Sequence, residues 1–81
     1  MMYFTYVLKS INKRKFYTGH TENLALRLNQ HNSGFTIYSK RHAPWAIVYT
    51  EAFDTKELAI KREKYFKSAA GRRWLKKKIG L

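Results

Sequence analysis

The residues best suited to chemistry occur in a set order: Tyr6-Val7-Leu8, then Tyr17-Thr18-Gly19, then Arg27 and His31 in a helix-like segment. Aromatic hydroxyls on adjacent strands, followed by a guanidinium and an imidazole one helical turn apart, suit a site that binds and attacks a phosphodiester. Further along, Glu63 falls at the border of the buried face of a later helix, one turn from Ala59 and just before Phe66. An acid so placed resembles a solvated charge less than Glu57 does, and it is the best metal-ligand candidate in the chain.

Each residue also has a plainer reading. Tyr6 and Tyr17 could be ordinary strand aromatics, and Arg27 and His31 the solvated face of a helix. Glu63 could simply pair with Lys67 one turn on. It is their joint order that favours a site.

The elements that must position them follow from pattern. The stretch from Tyr3 to Gly19 is rich in Tyr, Phe, Val and Thr, with a polar break from Ser10 to Lys15, and reads as a β-hairpin turning at Asn12-Lys13-Arg14. Thr21 can cap a helix from Glu22 to Asn32, with Leu24 and Leu28 as its apolar edge and Arg27 and His31 flanking it. Ser33 through Pro44 is polar and irregular and reads as a loop, with His42 a surface residue outside the site. Trp45 to Phe53 reads as a buried third strand. Asp54 and Glu57 resemble a capping box opening a second helix to Ser68 or Ala70, and Gly71 would break it before a very basic last helix from Arg72 to Ile79. On the second helix Leu58, Ala59, Arg62, Phe66, Ala69 and Ala70 share one side.

Eighty-one residues make one domain, 1–81, and a chain this short buries only about 60% of its unfolded surface. With 44% hydrophobic and 16% aromatic residues it is nevertheless globular in composition. Seventeen Lys and Arg against five Asp and Glu give a net charge of +12, which attracts polyanions and makes nucleic acid the first partner to consider. The absence of cysteine excludes disulfides and thiolate metal sites, so any metal must use oxygen or nitrogen ligands. No apolar run approaches the roughly 20 residues of a membrane span, and no signal-peptide pattern opens the chain, so a cytoplasmic protein is expected. A membrane-surface role is the weakest reading, because the basic residues are spread over several elements. No obligate protein partner is indicated.

The chain resembles the GIY-YIG nuclease superfamily, in particular its small stand-alone bacterial members. Thr5-Tyr6-Val7 stands for the first motif and Tyr17-Thr18-Gly19 for the second. Arg27 in Leu26-Arg27-Leu28-Asn29-Gln30-His31 is similar to the family's helix arginine, His31 to its frequent histidine, and Glu63 in Arg62-Glu63-Lys64 to its single metal-binding glutamate. The Pro44-Trp45 pair and the stretch from Ala59 to Lys64 are similar as well.

The resemblance implies an α/β (α+β) fold, a small three-stranded antiparallel sheet flanked by helices in the order β-β-α-β-α-α. It also implies a metal-dependent endonuclease that hydrolyses DNA, of the kind used in repair or recombination. Hydrolysis needs a deprotonated water, stabilised charge on the phosphate and a neutralised leaving oxygen. Tyr17 would be the base or would orient the water; a phenol, with an ordinary pKa near 10, needs nearby positive charge for this, from His20 or Arg27. Arg27 presents a planar fork of donors to the phosphate. Tyr6 would hydrogen-bond the phosphate or the water, and His31 would assist proton transfer or hold a phosphate. Glu63 would hold Mg²⁺ or Mn²⁺ with waters completing the shell.

Arg72, Arg73, Lys76 and Lys77, on a helix docked by Trp74 and Leu75, would contact phosphates, with Lys15, Lys40 and Arg41 extending the surface. Each phosphate neutralised would add about 0.9 to the slope of the logarithmic salt dependence. With no separate recognition domain, sequence specificity should be low or replaced by recognition of DNA structure. Many relatives carry an asparagine in a helix beyond the glutamate, and this chain has none after Glu63. The rival reading is therefore a DNA- or RNA-binding module that keeps the fold and has little or no cleavage activity.

Overall fold

The computed structural model describes residues 2–80. Tyr3–Ser10 forms β1 and Phe16–Thr21 forms β2, an antiparallel hairpin in which Tyr6 faces Gly19 and Leu8 faces Tyr17. Trp45–Phe53 forms β3, which pairs antiparallel with the other edge of β1, so the sheet order is β2-β1-β3. The strand carrying Tyr6 is thus the central one, paired on both sides. Because strand side chains alternate, Tyr6, Leu8, Tyr17 and Gly19 share one face, and Thr5, Val7, Phe16, Thr18 and His20 share the other.

Both faces are covered. Tyr6, Leu8 and Trp45 form one core with Leu24 and Leu28 against it, while Val7, Phe66 and Leu75 form the second, joined by Phe16, Tyr49, Tyr65 and Trp74. Helices α1, Leu24–Asn32, and α2, Ile37–His42, belong to the first layer. Helices α3, Lys56–Lys67, and α4, Ala69–Ile79, belong to the second. This is the expected three-stranded antiparallel sheet with helices on both sides, carrying one helix more than the sequence reading gives.

That extra helix, α2, replaces the expected loop. Thr36 caps it by accepting the Ser39 N–H at 3.0 Å, yet six residues are too few to show a helical period, and Ser39 alone of them is buried. Other helix starts also shift: Asn23 rather than Thr21 caps α1, and Thr55 rather than Asp54 caps α3. The third strand is a half-exposed edge rather than a buried strand, with Ile47 and Val48 more than a third exposed. Leu58, Ala69 and Ala70, expected on the buried side, are exposed.

The break between the last two helices falls at Ser68, which ends α3 and caps α4. Gly71 lies inside α4 and does a different job from the one expected. A Cβ there would lie 1.8 Å from the Tyr65 carbonyl oxygen, so glycine is what lets α4 pack against the end of α3. Arg62 ties this layer to β3: its Nε donates to Glu51 Oε1 at 2.8 Å, and its guanidinium lies 4.7 Å from the Phe66 ring centroid and 4.8 Å from that of Trp74.

Candidate active site

Tyr6 is only 1% exposed, and its phenol lies directly over the β2 backbone at Gly19. A Cβ at Gly19 would sit 2.6 Å from Tyr6 Oη and 3.2 Å from Tyr17 Cε1. The glycine closing Tyr17-Thr18-Gly19 is therefore the residue that admits the Tyr6 hydroxyl. The Tyr17 ring stacks beside it at 6.4 Å, and lies 4.3 Å from the imidazole of His31.

His31 is fully buried, not on a solvated face. Its Nε2 lies 3.3 Å from Tyr6 Oη and its Nδ1 2.6 Å from Ser39 Oγ. The Ser39 hydroxyl accepts from Thr36 Oγ1 at 3.0 Å, which leaves its own proton for His31 Nδ1 and makes Nε2–H the donor to Tyr6. Burial, followed by the charge of Arg27, lowers the His31 pKa, in keeping with this neutral tautomer. Helix α2 is thus the support of the histidine, and it is fixed in turn by Trp45 Nε1, which donates to the Ser39 carbonyl at 3.0 Å.

Burial pushes the Tyr6 hydroxyl up to about 12, against the pull of the Arg27 guanidinium. At neutral pH Tyr6 keeps its proton and is a donor. Arg27 itself, on the second turn of α1, donates from Nη1 to Gln30 Oε1 at 3.1 Å and lies 5.4 Å over the Phe35 ring. Its Nε is buried and has no hydrogen-bond partner among the described residues. A buried N–H without an acceptor costs about 1–3 kcal/mol, which an anionic oxygen would recover.

Glu63 stands on α3, across the sheet from Tyr6 and Tyr17, yet close enough that its charge contributes to the raised pKa of the Tyr6 hydroxyl. Its Oε1 lies 2.6 Å from His20 Nδ1 and its Oε2 accepts from Lys67 Nζ at 2.7 Å. Burial alone would raise its pKa, but the hydrogen bonds and charges of Lys67 and His20 outweigh it, and the carboxyl stays ionised. His20, expected beside Tyr17, points to the opposite sheet face and bonds Glu63 instead. The pairing of Glu63 with Lys67, one of the two readings open from sequence, is therefore present, and His20 is added to it.

No group of three or more His, Cys, Asp or Glu side chains among the described residues is placed to hold a metal ion. A single ionised carboxylate still fits Mg²⁺ or Mn²⁺, which commonly bind through one or two carboxylates, waters and substrate phosphate. Lys15 on the hairpin turn, Lys40 and Arg41 on α2, and Arg72, Arg73, Lys76 and Lys77 on α4 are all exposed. Sequence reasoning missed Thr36 and Ser39, whose signal was a possible capping pair three residues apart. It also left out His42, whose half-buried ring packs 4.6 Å from that of Tyr38.

The family model for the GIY-YIG catalytic domain matches residues 2–78, and the chain belongs to the GIY-YIG family. Within it, the chain is 40% identical over 65 residues to a UPF0213 protein of Streptococcus pyogenes serotype M3, covering 79% of this chain and 70% of that one. The same identity and coverage hold for a UPF0213 protein of Streptococcus pyogenes serotype M5. Among solved structures, the solution NMR structure of a UPF0213 protein from Bacillus halodurans is similar, with 31% identity, a TM-score of 0.54 and coverage of 93% of this chain and 82% of that one. No helix among the described residues is long and apolar enough to cross a membrane.

Proposed function

We propose that this protein is an endonuclease that hydrolyses DNA phosphodiester bonds with one divalent metal ion, directed by DNA structure or of low sequence specificity. The observation that carries this reading is the Nε of Arg27, buried and without a hydrogen-bond partner among the described residues, on α1, which packs over the sheet face of Tyr6 and Tyr17. A phosphate oxygen satisfies that donor, and the guanidinium then stabilises charge building on the phosphorus centre. Tyr6 donates its hydroxyl proton to the phosphate or the attacking water, with His31 holding the oxygen in place. Tyr17 orients the water or takes its proton. Glu63 would hold Mg²⁺ or Mn²⁺, whose charge would neutralise the leaving oxygen. The exposed cations of α4 and α2 bind the flanking backbone, and a cytoplasmic location goes with a DNA substrate.

One observation favours a second reading, a nucleic-acid-binding module with little or no cleavage: both oxygens of Glu63 are already engaged by His20 and Lys67. Cleavage of labelled duplex, nicked, branched and single-stranded DNAs with Mg²⁺ or Mn²⁺ separates the two. Cutting that needs metal and disappears in Glu63→Ala and Arg27→Ala supports the nuclease. Salt-sensitive binding without any cutting supports the module.

A further inference from the structure

Beside the candidate active site a groove of about 700 Å³ opens at the free edge of β2. Aromatic rings of Phe16 and Tyr38 line one part of it, and Leu75, Arg72 and Lys76 of α4 line another. Among the described residues no acidic one lines it. Arg72 and Lys76 are exposed and stand one helical turn apart, so their cations form a rim above an apolar floor.

Two residues join this groove to the site. Tyr17 lines the groove and also packs against His31 and Tyr6. Lys67 lines it with its side chain while its Nζ is bonded to Glu63. A DNA strand held beside Tyr6 and His31 would therefore have the groove next to it, with Tyr17 between the two.

The chemistry of the groove selects among forms of that strand. A base stacked and paired in a duplex has no free face to offer an aromatic ring, whereas an unpaired base does, and its phosphates remain available to cations. An apolar floor with aromatic side chains and a cationic rim is complementary to that combination. We propose that the groove takes an unpaired nucleotide of the substrate strand, its base against Phe16 and Tyr38 and its phosphates on Arg72 and Lys76. The inference rests on reading the neighbouring site as one that acts on DNA, and it makes single-stranded or flapped DNA the preferred substrate over blunt duplex.

The test needs no catalysis. Binding of a fluorescein-labelled single-stranded oligonucleotide and a blunt duplex of equal length is measured by anisotropy in EDTA, with 2-aminopurine in the single strand reporting base stacking. The expected result is single-strand binding tighter by about tenfold, with quenched 2-aminopurine. Phe16→Leu, which keeps the apolar volume and removes the ring, should bring the two affinities together and restore the fluorescence. Arg72→Ala with Lys76→Ala, both exposed, should weaken single-strand binding and lower its salt slope by about 1.4. Should Phe16→Leu fail to fold, Tyr38→Leu at the more exposed ring takes its place. Equal affinities in the natural protein, or an unchanged preference in the folded ring variants, would overturn the proposal. Single-strand preference without cleavage overturns only the nuclease reading, and cleavage without single-strand preference overturns only the groove.

Discussion

Lys67 donates from Nζ to Glu63 Oε2 at 2.7 Å, one turn back along α3, so the carboxylate that would hold a metal is already held by a cation of its own helix. The Lys67 side chain is 54% exposed, and a pair of this kind contributes only about 0.3–0.5 kcal/mol. Such a contact is weak enough for a divalent ion to displace.

Lys67→Ala should accordingly tighten Mn²⁺ binding by roughly twofold, the factor that matches the energy of one exposed helical ion pair. Electron paramagnetic resonance of free Mn²⁺ measures it directly. Glu63→Ala should remove the binding and any metal-dependent cleavage while leaving DNA affinity nearly intact. Unaltered Mn²⁺ binding in Glu63→Ala would remove that residue from the metal site.

Gly19→Ala should damage both stability and activity. The added methyl meets Tyr6 Oη at 2.6 Å, and the phenol, 1% exposed, has no room to retreat. Overpacking of this kind costs about 1–3 kcal/mol, read as a lower urea midpoint. Cleavage should fall by about tenfold or more even under conditions where the variant is folded, because the Tyr6 hydroxyl is displaced.

The Tyr6 hydroxyl should ionise late. Burial pushes it up to about 12, and for Tyr49 burial together with the hydrogen bond to Glu51 does the same. A raised value in the folded state means that folding favours the protonated phenol. The stability this contributes is complete below pH about 10, the ordinary phenol value, and is lost as pH rises toward 12. Absorbance titration at alkaline pH should show two tyrosines ionising late, with Tyr6→Phe and Tyr49→Phe each deleting one from that phase; ionisation of Tyr6 at the ordinary phenol value would contradict its burial.

Glu51 should make the protein acid-sensitive. Burial would raise its pKa, but hydrogen bonds from Arg62 and Tyr49 and the charge of Arg62 bring it below the ordinary value. With a depressed folded value, the stabilisation is present above the unfolded carboxyl's pKa and is lost as pH falls through the folded one. Glu51→Gln should cost about 2 kcal/mol at neutral pH, as expected for hydrogen bonds to a charged group. Chemical denaturation across the acid range should show that gap narrowing as pH drops. A constant gap would mean that the charge of Glu51 contributes nothing.

How far the sequence could be read depended on whether a feature was local. The hairpin was legible because Tyr, Phe, Val and Thr cluster on either side of a polar turn. The pairing of Glu63 with Lys67 was legible because helical spacing brings such residues together wherever the helix lies. The burial of His31 was not, since it depends on Ser39 and Trp45 arriving from elements that follow. Whether β3 is central or an edge depends on sheet order, a property no single strand carries. Gly71 shows the limit most sharply: a glycine between helical stretches can end a helix or admit a neighbour, and only the position of the Tyr65 carbonyl decides which.

Ser68 joins α3 to α4 with a single residue, its hydroxyl donating to the Tyr65 carbonyl at 2.6 Å and accepting from the Gly71 N–H at 3.1 Å. A joint bonded on both sides has no slack, so the two helices behave as one bent lever. Glu63 and Lys67 ride on one arm, Arg72 and Lys76 on the other, and the span between them is set by the chain itself. A nucleic acid that engages both arms would have to present its phosphates at that span.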